Sequence, residues 1–177
     1  MSQKTKWVID PTHTEIGFKV KHMMFTNVSG KIDNYEATIE TDGDDFANAV
    51  ISFSGDATSI STGSADRDKH LLSVDFFDVE KFPKMDFSTT SFTKVDNENF
   101  ELKGDLTLHG VTKPVTLAVE SAGLMKDPWG NIKAAFSITG KINRKDWGLT
   151  WNAALETGGV LVSEEVRIIA EVQLIKQ

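Results

Sequence analysis

Four histidines, His13, His22, His70 and His109, have the widest chemical reach in this 177-residue chain, which contains no cysteine. Without thiols there is no disulfide, no cysteine nucleophile and no thiolate metal site, and the redox compartment is left open. Histidine can bind zinc, but the HExxH arrangement of helical zinc hydrolases is missing. A metal would need histidines gathered from distant parts of the chain, and none is expected. No serine lies in GxSxG and no glycine-rich phosphate loop precedes a helix, so nucleophilic and nucleotide chemistry lack a motif, and no cofactor is expected. The acidic run TDGDDFAN lacks the ligand spacing of a calcium loop. Two polar groupings remain. Asp66, Arg67, Asp68 and His70 read either as a helix first turn with a local Asp–Arg pair or as a functional cluster. Asn143-Arg144 beside Trp147 either recognise an anionic group through charge-assisted hydrogen bonds or anchor a loop.

These groups act only where the surrounding elements place them, and the most regular element runs from Asn99 to Glu120. Phe100, Leu102, Leu106 and Leu108 take alternate positions with Gly104 between them, and Val111, Val115, Leu117 and Val119 repeat the pattern. His109-Gly110 and Lys113-Pro114 supply turn chemistry between them. The stretch predicts two long antiparallel strands of about eleven residues, ~36 Å at roughly 3.3 Å per residue.

The alternation recurs along the chain. EIGFKVKHMMF from Glu15 puts Ile16, Phe18, Val20, His22 and Met24 on one face and Lys19 and Lys21 on the other. His22 thus lies on the apolar side, where a histidine is more often hydrogen-bonded or in touch with a polar headgroup than bound to metal. Val28, Gly30 and Ile32 share one phase, and Tyr35, Ala37 and Ile39 the other, which predicts a bulge near Asp33-Asn34. Further strands follow through Ile51 and Phe53, through Ala134, Phe136, Ile138 and Ile142, and through Val166 to Leu174. One segment breaks the rhythm: Ser64 caps a short helix near 64–78, closed by Pro83, and Leu71, Leu72, Phe76, Phe77 and Phe82 fold over an end of the sheet.

About eight principal strands with no βαβ rhythm predict an all-β, antiparallel up-and-down barrel, because closure removes exposed edges. A barrel of this size is either filled by side chains or holds one small ligand. The small residues on its apolar faces, Gly30, Gly55, Gly104 and Gly140 among them, fit a lumen and fit strand bending equally.

Composition narrows the partners. The net charge of −7 argues against nucleic acid and against non-specific attraction to anionic surfaces. A single domain over residues 1–177 is expected. No apolar run reaches membrane-helix or signal-peptide length, so the sequence is read as soluble, not membrane-spanning, and cytoplasmic.

Four segments carry a resemblance: WVIDPTHTEIGFKVKH, RDKHLLSVDFFDVEKFP, GDLTLHGVTKPVTL and INRKDWG, in that order. Together they closely resemble the YceI-like family over about Trp7 to Leu174. The resemblance implies a lipocalin-like, extended barrel whose tunnel binds a long-chain isoprenoid or other amphipathic lipid, with a homodimer as a plausible assembly. It places the family's recurrent polar residues at His13, His22, Arg67, Asp68, His70, His109, Asn143 and Arg144, with His22 and Arg144 expected to touch ligand and His109 to be architectural. Ile16, Phe18, Val20, Phe100, Leu102, Phe136 and Ile138 are the expected apolar wall, and burial of a lipid tail there needs no catalyst. The function expected is carriage or storage without catalysis. The alternative is an enzyme acting on a prenyl or acyl substrate through convergent polar tunnel residues; a packed barrel working only through its surface is a third reading.

Overall fold

Long alternating strands dominate the computed structural model, which describes residues 4–153, 155 and 161–177. They are β1 Lys4–Ile9, β2 Glu15–His22, β3 Thr26–Ile32, β4 Tyr35–Asp42, β5 Asp45–Asp56, β6 Ile60–Ser61, β7 Lys84–Lys94, β8 Asn99–Leu108, β9 Val111–Lys126, β10 Ile132–Asn143 and β11 Val162–Lys176. Among the described residues one α-helix, α1, spans Ala65–Leu72. Eight strands close a ring in the order β1-β4-β5-β7-β8-β9-β10-β11, with β11 returning to β1. The fold is therefore the closed antiparallel barrel expected from the alternation.

The remaining strands, β2, β3 and β6, branch from β11. The fifteen residues of β11 allow it: β1 pairs with it at Leu174–Lys176, and β2 takes over from Glu171 toward Val162. Between β1 and β2 the chain steps aside at Asp10-Pro11, where the Asp10 carboxylate accepts from the Thr12 amide at 3.1 Å. The expected bulge at Asp33-Asn34 is instead a full break between β3 and β4. Both amides there turn to the Ser59 hydroxyl, at 3.2 and 2.9 Å, which frees β3 to follow β2 while β4 follows β1.

β8 and β9 form the expected hairpin. His109 and Gly110, with φ of 53° and 72°, make the whole turn, the two-residue type whose twist suits a hairpin. Lys113-Pro114 is not part of it: Pro114 lies within β9 opposite Asp105. β10 pairs with β9 only as far as Ala118, so the missing proline N–H sits on a stretch with one open edge.

α1 starts as its sequence dictates, with the Ser64 hydroxyl accepting from the Arg67 amide at 3.3 Å. It ends at Leu72 rather than near Pro83, because the Ser73 amide and hydroxyl both turn back to the His70 carbonyl, at 3.1 and 2.6 Å. Residues 73–83 continue as turns over one end of the barrel. The opposite end is plugged. Trp7 is buried there and donates through its indole nitrogen to Thr41 Oγ1 at 2.8 Å, and the Trp7, Phe46 and Phe136 rings pack in sequence, tilted and then edge-on, with centroids 4.9 and 4.8 Å apart.

Candidate lipid-binding site

The inward faces of the strands do not fill the barrel. They enclose a cavity of about 390 Å³ that reaches from Phe46, Phe92 and Phe136 at the plugged end to the end covered by α1 and the β10–β11 connection. This volume lies within the roughly 300–1,000 Å³ of small-molecule sites. Of the wall expected from sequence, Ile16, Phe18, Val20, Leu102, Phe136 and Ile138 line the cavity, as do His22 and Arg144. Phe100 does not. It lies beyond the floor, buried and stacked on Phe92 at 4.9 Å. Met24 also leaves the apolar face, because β2 ends at His22 and the next residues turn outward.

The small inward residues are resolved by their neighbours. Phe18 lies over Gly30, Phe87 over Gly104 and Leu117 over Gly140, so these glycines admit large cross-strand side chains rather than empty space.

Among the described residues the polar side chains along the wall are few and gather at the covered end: His22, Thr62, Arg67, His70 and Arg144. Among the described residues no Asp or Glu lines the cavity. Arg67 donates to Thr62 through Nε to Oγ1 and through Nη2 to the carbonyl, both at 2.8 Å. Asp68 accepts from the Thr62 amide at 2.9 Å, which ties the start of α1 to the chain leaving β6. His70 Nε2 meets Asp75 Oδ2 at 2.9 Å, and its ring stands edge-on to Trp151 at 4.7 Å. Among the described residues the His22 ring makes no hydrogen bond.

Arg144 is 4% exposed, and its guanidinium is spent on main-chain oxygens: Nη1 to Leu149 at 2.6 Å, Nε to Ser163 at 2.8 Å and Nη2 to Val162 at 3.3 Å. Burial lowers its pKa from the ordinary value, opposed by the nearby Glu164 carboxylate. Asn143 caps the short turn that carries it, accepting from the Lys145 amide at 3.0 Å.

The other expected polar residues lie elsewhere. His109 Nδ1 contacts the Trp147 carbonyl at 3.2 Å and its ring packs on Phe82, an architectural placement. His13 Nδ1 meets Asp10 Oδ2 at 2.9 Å, outside the cavity wall. His13, His70 and His109 thus have separate partners, and among the described residues no group of three His, Asp or Glu side chains is placed to hold a metal. Trp151, Leu149 and Leu161 line the covered end and were not legible as wall residues. Their signal was the apolar side chains inside an otherwise polar loop. The Gly-Gly pair of that loop lies outside the described residues.

A closed antiparallel barrel around a deep apolar cavity defines a lipocalin-like fold. The chain belongs to the YceI-like family, whose domain model matches residues 7–174. UPF0312 protein SA2479 of Staphylococcus aureus is 36% identical over 170 residues, covering 96% of each chain. The solved YCEI protein of Campylobacter jejuni is 32% identical, with a TM-score of 0.78 over 95% of this chain and 96% of that one. A polyisoprenoid binding domain from Saccharophagus degradans, implicated in plant cell wall breakdown, shares the fold at a TM-score of 0.67 and 12% identity, over 97% and 98% of the two chains. Among the described residues no helix is long and apolar enough to cross a membrane.

Proposed function

We propose that this protein holds the hydrocarbon part of a long-chain isoprenoid or related amphipathic lipid inside the barrel and carries or stores it unchanged. The observation that supports this most directly is the cavity of about 390 Å³, apolar along its length with the hydrogen-bonding side chains of the described residues gathered at one end. An amphipathic chain has the same asymmetry. Removing its tail from water contributes roughly 25 cal/mol per Å² of apolar surface, so affinity needs no catalytic group. The barrel shared with the Saccharophagus degradans polyisoprenoid binding domain supports the same reading.

An enzyme acting through the tunnel histidines would need a nucleophile and a base within hydrogen-bond reach. His70 on α1, His109 in the β8–β9 turn and His22 on β2 belong to different elements; His70 meets Asp75 and His109 the Trp147 carbonyl, and no hydrogen bond joins one of these rings to another among the described residues. Native mass spectrometry of the purified protein, followed by solvent extraction, tests the proposal. A stoichiometric lipid names the cargo; an empty protein that also takes up no polyprenyl lipid from solution overturns it.

A further inference from the structure

In a chain of net charge −7, residues 16–32 contain three lysines and no Asp or Glu. They form the β2–β3 hairpin. Its inner side chains line the cavity, while Lys19 and Lys21 are exposed on the outer face opposite Ser29 and Asn27. The carboxylates flanking it in sequence, Glu15 and Asp33, lie at the end away from the tip.

The tip itself is apolar and in water: Met23 is 52% exposed, Met24 60% and Phe25 91%. Met23 and Met24 both have left-handed backbones, with φ of 56° and 59°. They are the two central residues of the turn His22–Phe25, closed by the Phe25 amide on the His22 carbonyl at 3.2 Å within a three-residue connection; left-handed positions favour Asn and Gly, and another residue there carries a steric cost. With more than half of each of these two residues exposed, packing within the chain offsets only part of that cost. The tip also adjoins the covered end of the cavity: His22 lines the wall, and the Met23 amide donates at 2.6 Å to the carbonyl of Leu161, another wall residue.

We propose that this tip docks the protein on a lipid bilayer that carries anionic headgroups. Met23, Met24 and Phe25 enter the apolar boundary, Lys19 and Lys21 face the headgroups, and the end of the cavity beside His22 opens toward the membrane. The proposal rests on the lipid-carrying reading and adds its route: a tail that moves directly from bilayer to cavity never exposes its apolar length to water. A second copy of the chain fits the tip poorly. Two lysine-bearing hairpins would face each other across a two-fold axis, and three side chains fall far short of the roughly 800 Å² per partner of a stable interface.

Sedimentation with phosphatidylcholine vesicles, with and without equimolar phosphatidylglycerol, tests docking. The triple variant Met23→Asn, Met24→Gly, Phe25→Ser removes the wedge and supplies the residues the turn prefers, so it keeps the fold, which thermal melting checks. Wild-type protein should sediment with the anionic vesicles, and the triple variant should lose roughly tenfold or more of that binding. Lys19→Gln with Lys21→Gln should erase the preference for anionic vesicles. Trp129→Ser, an exposed aromatic on the β9–β10 turn at the plugged end, should change nothing. Wild-type protein left in the supernatant, undiminished binding by the triple variant, or an equal loss in Trp129→Ser overturns the proposal. So does self-association in analytical ultracentrifugation that the triple variant abolishes without any vesicle binding. Uptake of a fluorescent polyprenyl probe from solution, measured in parallel, reads the cargo site separately: the triple variant should load normally, and failure of both proteins to load sinks the carrier reading and not the docking result.

Discussion

The ring of Phe18 on β2 lies across Gly30 on β3, its directly paired residue, where a Cβ would overlap the ring. Gly30 therefore holds Phe18 against the wall. Gly30→Ala should push the ring toward the cavity, lower uptake of a polyprenyl probe, and cost about 1–3 kcal/mol in urea unfolding. Phe18→Glu should reduce uptake more strongly by placing an unpaired charge on the apolar wall, whereas Lys19→Glu on the outer face should leave it nearly intact. Equal losses in the two would mean that the inward face is misassigned.

Arg144 separates a ligand contact from an architectural one. Its three donors already bind the carbonyls of Leu149, Ser163 and Val162, so Arg144→Met removes three bonds near the covered end, and of these acceptors Val162 keeps Asn152 Nδ2 as a donor at 2.7 Å. The expected loss is about 2–3 kcal/mol of stability. Among molecules that remain folded, probe affinity should fall less than it does for Phe18→Glu. A stable Arg144→Met protein with abolished binding would make the guanidinium a headgroup contact instead.

The barrel was legible because period-two alternation is a local property: Phe100 through Val119 and Ile132 through Ile142 each declare an inward face without reference to any partner. The closure was less so. That β1 and β2 share one edge of β11 depends on the break at Asp10-Pro11 and on the Ser59 hydroxyl at Asp33-Asn34, which are tertiary choices. The same limit applies to the site. Alternation placed Ile16, Phe18 and Val20 on the wall, but the same alternation placed Phe100 there as well. Only the three-dimensional position of the Trp7–Phe46–Phe136 plug shows where the cavity stops. Trp151 could not be found by periodicity because it belongs to a loop.

The plug depends on one buried polar pair. Thr41 Oγ1 accepts from the Trp7 indole and donates to the Gly43 carbonyl at 2.7 Å. Thr41→Val keeps the volume but leaves the Trp7 N–H and that carbonyl without this partner, at an expected cost of about 1–3 kcal/mol. Urea denaturation measures it. Since the pair lies below the cavity floor, probe uptake by the folded variant should be unchanged, and a large loss of uptake would show that the floor moves with the plug.

Asp10 gives the barrel an acid limit. Its carboxylate accepts from His13 at 2.9 Å, from Thr12 Oγ1 at 2.8 Å and from Lys133 Nζ at 3.3 Å. The bond to His13, with those to Thr12 and Lys133, holds its pKa well below the usual carboxylate range against the opposing effect of burial. A carboxyl group with a depressed folded-state pKa binds more protons when unfolded. Its contribution is therefore complete above the unfolded value of about 3.9 and disappears as the pH falls toward the folded value. Asp10→Asn should lose about 1–2 kcal/mol at neutral pH by weakening these charge-assisted bonds. Urea unfolding of both proteins across the acidic range should show a constant gap above roughly pH 5 that narrows below pH 4. A gap that stays constant to the lowest pH would mean that packing, rather than the charge, makes Asp10 stabilising.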